Sequence, residues 1–283
     1  MNNCYTPRRL PPKETATTNR TDRHERGKGE RNNGGPKGGT ARPMSEDPSS
    51  AKRRDGRGPY DMRQVYMDVG VVAHATGSAY VEFNHTKVIC AVHGPHAQSG
   101  RDTSFNEKGQ LQCEYSYAPF ATPEGRWESK GGKSDDEREF SSILRQTLEA
   151  SVQVHRLTKS VVDVHVMVLE ADGGELAVAT ICASMALADA GIELYDLVAS
   201  CSVGYCGTKM VLDPTRDEEI EGGGVIVIAV MPGSQQVTQW WQAGRFEGQD
   251  VGEALELCTD GCGSVHQLME VKLKDSYRRK MEK

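Results

Sequence analysis

The stretch SVVDVHVMVLEADGGELAVATICASMALADAG, residues 160–191, leaves the chain few ways to fold. Its first eleven residues are rich in β-branched side chains and read as a strand. Gly173 and Gly174 then permit a tight turn, and a run of small apolar residues follows, ending at Gly191. Ala179, Ala183, Ala186 and Ala190 recur at helical spacing, which predicts a helix that can approach a sheet closely. Such a turn points helix N-terminal N–H groups outward, where an anion can be held. The next residue is nevertheless Glu175, a carboxylate at the mouth of an anion cradle.

The rest of the chain is read around this unit. Residues 1–58 are poor in aliphatic side chains and carry 14 Lys+Arg against 7 Asp+Glu, whereas the remainder carries 20 against 33. The first segment cannot offset its ordering entropy by burial, so 1–58 is expected to be a disordered basic tail and 59–283 a folded domain. Within the tail, AKRRDGR reads as a solvated linker, with a nuclear address or an RNA-contacting arm as the functional alternative. An acidic body excludes a broadly basic nucleic-acid-binding surface. No run approaches the roughly 20 apolar residues of a membrane span, and the polar N-terminus lacks the apolar centre of a signal peptide, so the chain reads as soluble and intracellular. The eight cysteines form no CxxC pair and read as reduced core thiols.

From Met62 onward, short β-rich runs separated by ATGS and FNHTK predict a three-stranded meander, and LQCEYSYAPF a fourth strand. EFSSILRQTLEASVQV has helical periodicity, with Ser134 and Glu137 spaced as a capping box. Strands follow at LVASCSVGYC, TKMVLDP, GGGVIVIAVMP and QQVTQWW, then a helix over about 251–280. Strands, helix, strand, helix, strands and helix in that order predict an α+β fold of mixed sheets packed with helices.

Three places could hold chemistry. The glycine turn reads either as a phosphate site or as a plain strand-to-helix joint. Asp213, Asp217, Glu218 and Glu219 cluster at a strand end, which could hold Mg²⁺ but on spacing alone reads as a solvated acidic turn. Cys258, Cys262 and His266 share one helix face, yet a structural zinc needs four ligands, and core packing is the better reading.

Taken together, GSAYVEFNHTKVICAVHGP, EYSYAPF, LEADGG, ALADAGIELYDLVASCSVG and LDPTRDEE resemble the RNase PH family, in order and at family spacing, over about 54–277. The resemblance implies the RNase PH-like fold, also described as ribosomal protein S5 domain 2-like, and among family members it is strongest to a ring subunit of the eukaryotic RNA exosome. Active members cleave RNA from its 3′ end with inorganic phosphate as nucleophile. They use an arginine ahead of the helix that here begins near 136, a hydroxyl-arginine pair after the glycines, and two acidic residues six apart that hold a metal. Carried over by position, the first arginine falls at Asp136 and the pair at Glu175 and Leu176. Asp213 keeps the first metal position and Glu219 takes the second. Two unit charges about 4 Å apart interact by roughly 4 kcal/mol at an effective dielectric of 20, so carboxylates in place of arginines turn attraction for phosphate into repulsion.

The resemblance thus implies an inert ring subunit with a degenerate phosphate site (Asp136, Gly173, Gly174, Glu175, Leu176), a degenerate metal site (Asp213, Glu219) and no cofactor. Expected partners are other RNase PH-type subunits in a heterodimer within a six-membered ring, RNA-binding cap subunits and single-stranded RNA, with no membrane. The loop after HGP faces the pore in this family, so Arg101 and Lys108 are candidate RNA contacts. Nucleus, nucleolus and cytoplasm are the implied compartments. Two other readings stay open: an active phosphorolytic exonuclease with Arg126 or Arg138 supplying the cations, and a free RNA-binding module working through the tail.

Overall fold

The computed structural model describes residues 53–97, 109–122, 134–206, 209–246 and 248–282. Two sheets enclose one buried helix. The meander expected after Met62 is present as β1 (Val65–Val69), β2 (Gly77–Phe83) and β3 (Thr86–Ala97), paired antiparallel. The fourth strand, β4 (Gln110–Tyr117), does not extend the meander. It pairs in parallel with β5 (Ser160–Glu170), which inserts beside β3, so the order is β1-β2-β3-β5-β4. The parallel pair needs a crossover, supplied by α1 (Asp135–Ser151) and one 3₁₀ turn at Val154–Arg156.

The second sheet contains β6 (Ala199–Cys206), β7 (Lys209–Leu212), β8 (Gly224–Met231) and β9 (Gln236–Gly244), in the order β7-β6-β8-β9 and antiparallel throughout. β8 is buried at all its positions, as its unbroken run GVIVIAVM requires. β9 is a sheet edge that exposes Val237 and Trp240.

The small-residue helix is α2 (Glu175–Asp189), and every position from Leu176 to Leu187 is buried. It packs on β2 and β3 of the first sheet and on β6 and β8 of the second. An all-round apolar helix has this one solution, burial between two layers. The last helix, α4 (Gly248–Met281), starts three residues before the expected boundary and lays Ala254, Cys258, Cys262, Val265 and Met269 into the core. The Cys258 and Cys262 thiols face the backbone oxygens of Cys201 and Ile228, and burial pushes both thiols up, Cys262 to about 12.

Two expectations need correction. The acidic turn after Leu212 contains a short helix, α3 (Arg216–Gly222), in which the Thr215 N–H donates to Glu218 Oε2 at 2.9 Å, the reach-back half of a capping box. The folded chain also begins before residue 59. Arg53 is buried, and its guanidinium donates to both Glu218 oxygens at 2.8 and 2.6 Å and to the carbonyls of Leu212 and Asp213 at 2.7 Å each. Arg53 within AKRRDGR is therefore a structural staple. The remainder of the tail, 1–52, lies outside the described residues.

Candidate functional site

The turn between β5 and α2 is built around two left-handed glycines, Gly173 at φ +84 and Gly174 at φ +66. A Cβ on Gly173 would stand 2.7 Å from the Arg216 nitrogen and 2.8 Å from the Pro214 oxygen, because the start of α3 lies directly on the turn. The glycines are thus required by packing alone, whatever the turn binds.

Beneath the turn lies Arg63, 1% exposed. Its Nε and Nη2 donate to the two oxygens of Asp213 at 2.9 and 2.6 Å, and its own backbone N–H adds a third bond at 2.9 Å. The remaining guanidinium hydrogens go to Thr86 Oγ1 at 2.9 Å, the Asp172 carbonyl at 2.8 Å and the Gly173 carbonyl at 3.0 Å. Arg57 approaches Asp213 Oδ2 at 3.4 Å. Burial alone would raise the Asp213 carboxyl, but the charge and hydrogen bonds of Arg63 win and hold it below the ordinary carboxylate range. Glu218 is likewise held low by Arg53 against burial, and Asp217 meets Arg54 at 2.8 Å on the surface.

Of the four clustered carboxylates, Glu219 alone accepts from a glycine amide among the described residues. Its Oε1 accepts from the Gly174 N–H at 2.9 Å, while Glu175 Oε1 accepts from the Gly173 N–H at 3.3 Å. Two adjacent amides of the cradle are therefore filled by the chain's own carboxyl groups. Burial first, then the Glu175 charge, pushes the Glu219 carboxyl from its ordinary 4.5 up to about 8, so one proton is held in this pair at neutral pH.

Asp136, on the exposed first turn of α1, adds a further negative charge, felt at the neighbouring Tyr117 together with those of Glu175 and Glu219. Leu176 points into the hydrophobic core, 4% exposed. Arg138 is exposed and pairs with Asp135 at 3.3 Å. The Glu137 side chain ties the Ser134 N–H to that of Tyr117, both at 3.0 Å, fixing α1 to β4 beside the site. Arg101, Lys108 and Arg126 lie outside the described residues.

The family's metal does not fit these groups. Both Asp213 oxygens are bonded to Arg63, and Glu219 Oε1 accepts from the Gly174 amide. Among the described residues no three His, Cys, Asp or Glu side chains converge as a metal site.

Tyr115, on β4 below Tyr117, has a fully buried hydroxyl without a hydrogen-bond partner among the described residues. The Tyr117 ring stands edge-on to it with centroids 5.2 Å apart. An unmade bond of this kind costs about 1–3 kcal/mol. Tyr115→Phe is expected to raise stability by about 1 kcal/mol in urea unfolding, and a loss instead would show that the hydroxyl is satisfied.

The site residues missed by sequence reasoning are Arg53, Arg57 and Arg63. Each stands in a polar stretch ahead of a strand, and the carboxylate it meets at the site lies 150 or more residues further along the chain: Glu218 for Arg53, Asp213 for Arg57 and Arg63.

Comparison with known proteins agrees with this architecture. The chain matches the 3′ exoribonuclease family, domain 1, over residues 61–193, and its domain 2 over 196–261. It is 38% identical over 224 residues to an exosome complex component RRP41-like of Arabidopsis thaliana, which spans 79% of this chain and 85% of the relative. It is 34% identical over 228 residues to the exosome complex component Rrp41 of Thermococcus gammatolerans, spanning 81% and 90%. Among solved structures, rice Rrp46 superposes with a TM-score of 0.69 at 22% identity, covering 78% of this chain and 100% of that one. The Archaeoglobus fulgidus exosome with RNA bound to the active site gives 0.67 at 22% identity, covering 77% and 92%; these two likenesses establish the fold. With both domains present in order and relatives matched over most of their length, the chain belongs to the 3′ exoribonuclease family, the RNase PH family.

Proposed function

We propose that this chain is a non-catalytic ring subunit of an RNA exosome, which scaffolds the ring and guides RNA toward degradation performed elsewhere in the assembly. The observation that carries the reading is the self-filled cradle: the Gly173 and Gly174 amides hold Glu175 and Glu219, and Arg63 beneath them is neutralised by Asp213. A phosphate entering there would meet carboxyl groups in place of cations. Its partners on this reading are other RNase PH-type subunits, paired as a heterodimer within a six-membered ring, together with RNA-binding cap subunits. Within the family the sequence looks most like exosome component six. Arg101 and Lys108 are proposed contacts to the RNA backbone in the pore, and nucleus, nucleolus and cytoplasm are the proposed compartments.

The deciding experiment measures release of nucleoside diphosphate from single-stranded RNA by the purified chain with Mg²⁺, with and without inorganic phosphate. No release above the phosphate-free control is expected. Phosphate-dependent release that disappears in Asp213→Asn would overturn the reading and favour an active phosphorolytic enzyme. Co-purification with RNase PH-type subunits tests the scaffold role separately.

A further inference from the structure

We propose that the C-terminal end of α4 is a contact for single-stranded RNA, in which Lys274 and Arg278 hold backbone phosphates and Tyr277 stacks on a base. This rests on the RNA-handling reading above, but it concerns a surface separate from the glycine turn.

Charge is the first observation. Residues 272–283 hold six Lys+Arg against two Asp+Glu, whereas 59–271 hold 14 against 31. A local excess of positive charge thus gathers at this end of the chain, after a stretch that is acidic overall. Basic residues at a helix C-terminus also suit the helix dipole, which accounts for the sign but not for what lies beside them.

Shape is the second. A cleft of about 390 Å³ opens between this end of α4 and the last turn of α2, lined among others by Asp189, Lys274, Ser276, Tyr277, Arg278 and Lys280. Pockets for small ligands begin at about 300 Å³, so a nucleotide is of the right scale. Tyr277 is 64% exposed at the cleft, so its ring is presented to solvent. An exposed aromatic ring among cations is the arrangement that takes single strands: phosphates bind the charges, and any base can stack on the ring.

The cations are available. Lys274 pairs with Glu270 at 2.7 Å and Arg278 reaches Asp275 only at 3.7 Å, and all four side chains are exposed. Exposed pairs of this kind contribute little and yield to a polyanion. Lys280 is different: it meets Asp189, whose side chain is 6% exposed, at 2.6 Å, and so serves to close the cleft floor. Arg279 turns to Asp68 and Lys272 lies over the Tyr66 ring, so neither belongs to the contact.

The test uses the full-length chain and a thiouridine-containing single-stranded oligoribonucleotide. Photocrosslinks should map to residues 273–280. Tyr277→Ala should weaken binding about tenfold and Tyr277→Phe by less than about twofold, because stacking needs the ring and not the hydroxyl. Lys274→Glu with Arg278→Glu should weaken binding at least about tenfold and flatten the salt dependence by roughly 0.7 in log–log slope per lost phosphate contact. All these side chains are exposed, so thermal stability checks that folding is intact. Crosslinks confined to other stretches, including 1–58, would overturn the proposal. So would variants that bind like wild type, or a cleft that takes an acidic peptide in preference to RNA. Ring co-purification of the same variants shows whether the scaffold reading stands when this contact does not.

Discussion

Arg63→Met is expected to lower the stability of the folded chain by about 3–5 kcal/mol, the usual cost of leaving a buried charge without its partner. The substitution strands Asp213, 3% exposed, with only the 3.4 Å approach of Arg57 for compensation. It also removes donors from Thr86 and from the carbonyls of Asp172 and Gly173, which form the glycine turn. The double variant Arg63→Met/Asp213→Asn should recover part of the loss, because the remaining side chain no longer has a charge to bury. Urea unfolding of both variants measures this directly, and additive losses would show that the two residues do not act as a pair. The pair also sets an acid limit. A carboxyl held low in the folded state stabilises above its unfolded value, and that stabilisation disappears as pH falls through the lowered folded value. Asp213 and Glu218 both behave in this way, so their contribution changes only on the acid side.

Glu219→Gln is expected to act in the opposite window. The unfolded chain releases this proton near 4.5 while the folded chain keeps it to about 8. Stability from this group is therefore fully present below 4.5, falls as pH rises, and levels off above 8. Each pH unit in which the folded state alone holds a proton is worth about 1.4 kcal/mol. Glu219 shares its proton with Glu175, so only part of the interval belongs to this group and we expect about 2 kcal/mol in all. Gln keeps an oxygen for the Gly174 amide and offers an N–H toward Glu175 at every pH. The variant should match wild type near pH 4.5 and exceed it by about 2 kcal/mol at pH 8. Thermal or urea unfolding across that range would expose a mistaken assignment as two parallel curves.

Much of the fold was legible because it follows from local pattern. Alternating β-branched runs marked the strands, the small-residue run marked α2, and the Ser134/Glu137 spacing marked the start of α1. The neighbour relations were not legible. Nothing in LQCEYSYAPF announces that β4 pairs in parallel with a strand some fifty residues later. The acidic run after Leu212 suggested a place for metal because charge type was visible and partners were not. Its neutralisation comes from Arg53, 165 residues before Glu218, and from Arg63, 150 residues before Asp213. The family resemblance also brought Asp136, Glu175, Leu176 and Glu219 together by position, but only the folded structure shows that Leu176 turns inward while Glu175 and Glu219 close over the two glycine amides.

The burial of α2 has a consequence for how this protein comes apart. The family's two domains divide just after this helix, at 193 and 196, yet the helix gives one side to each sheet. Neither half can leave without exposing an apolar surface that has no polar face to offer water. Unfolding should therefore proceed as a single event, with the amides of α2 among the last to exchange with solvent. What inheritance records as two modules, thermodynamics treats as one.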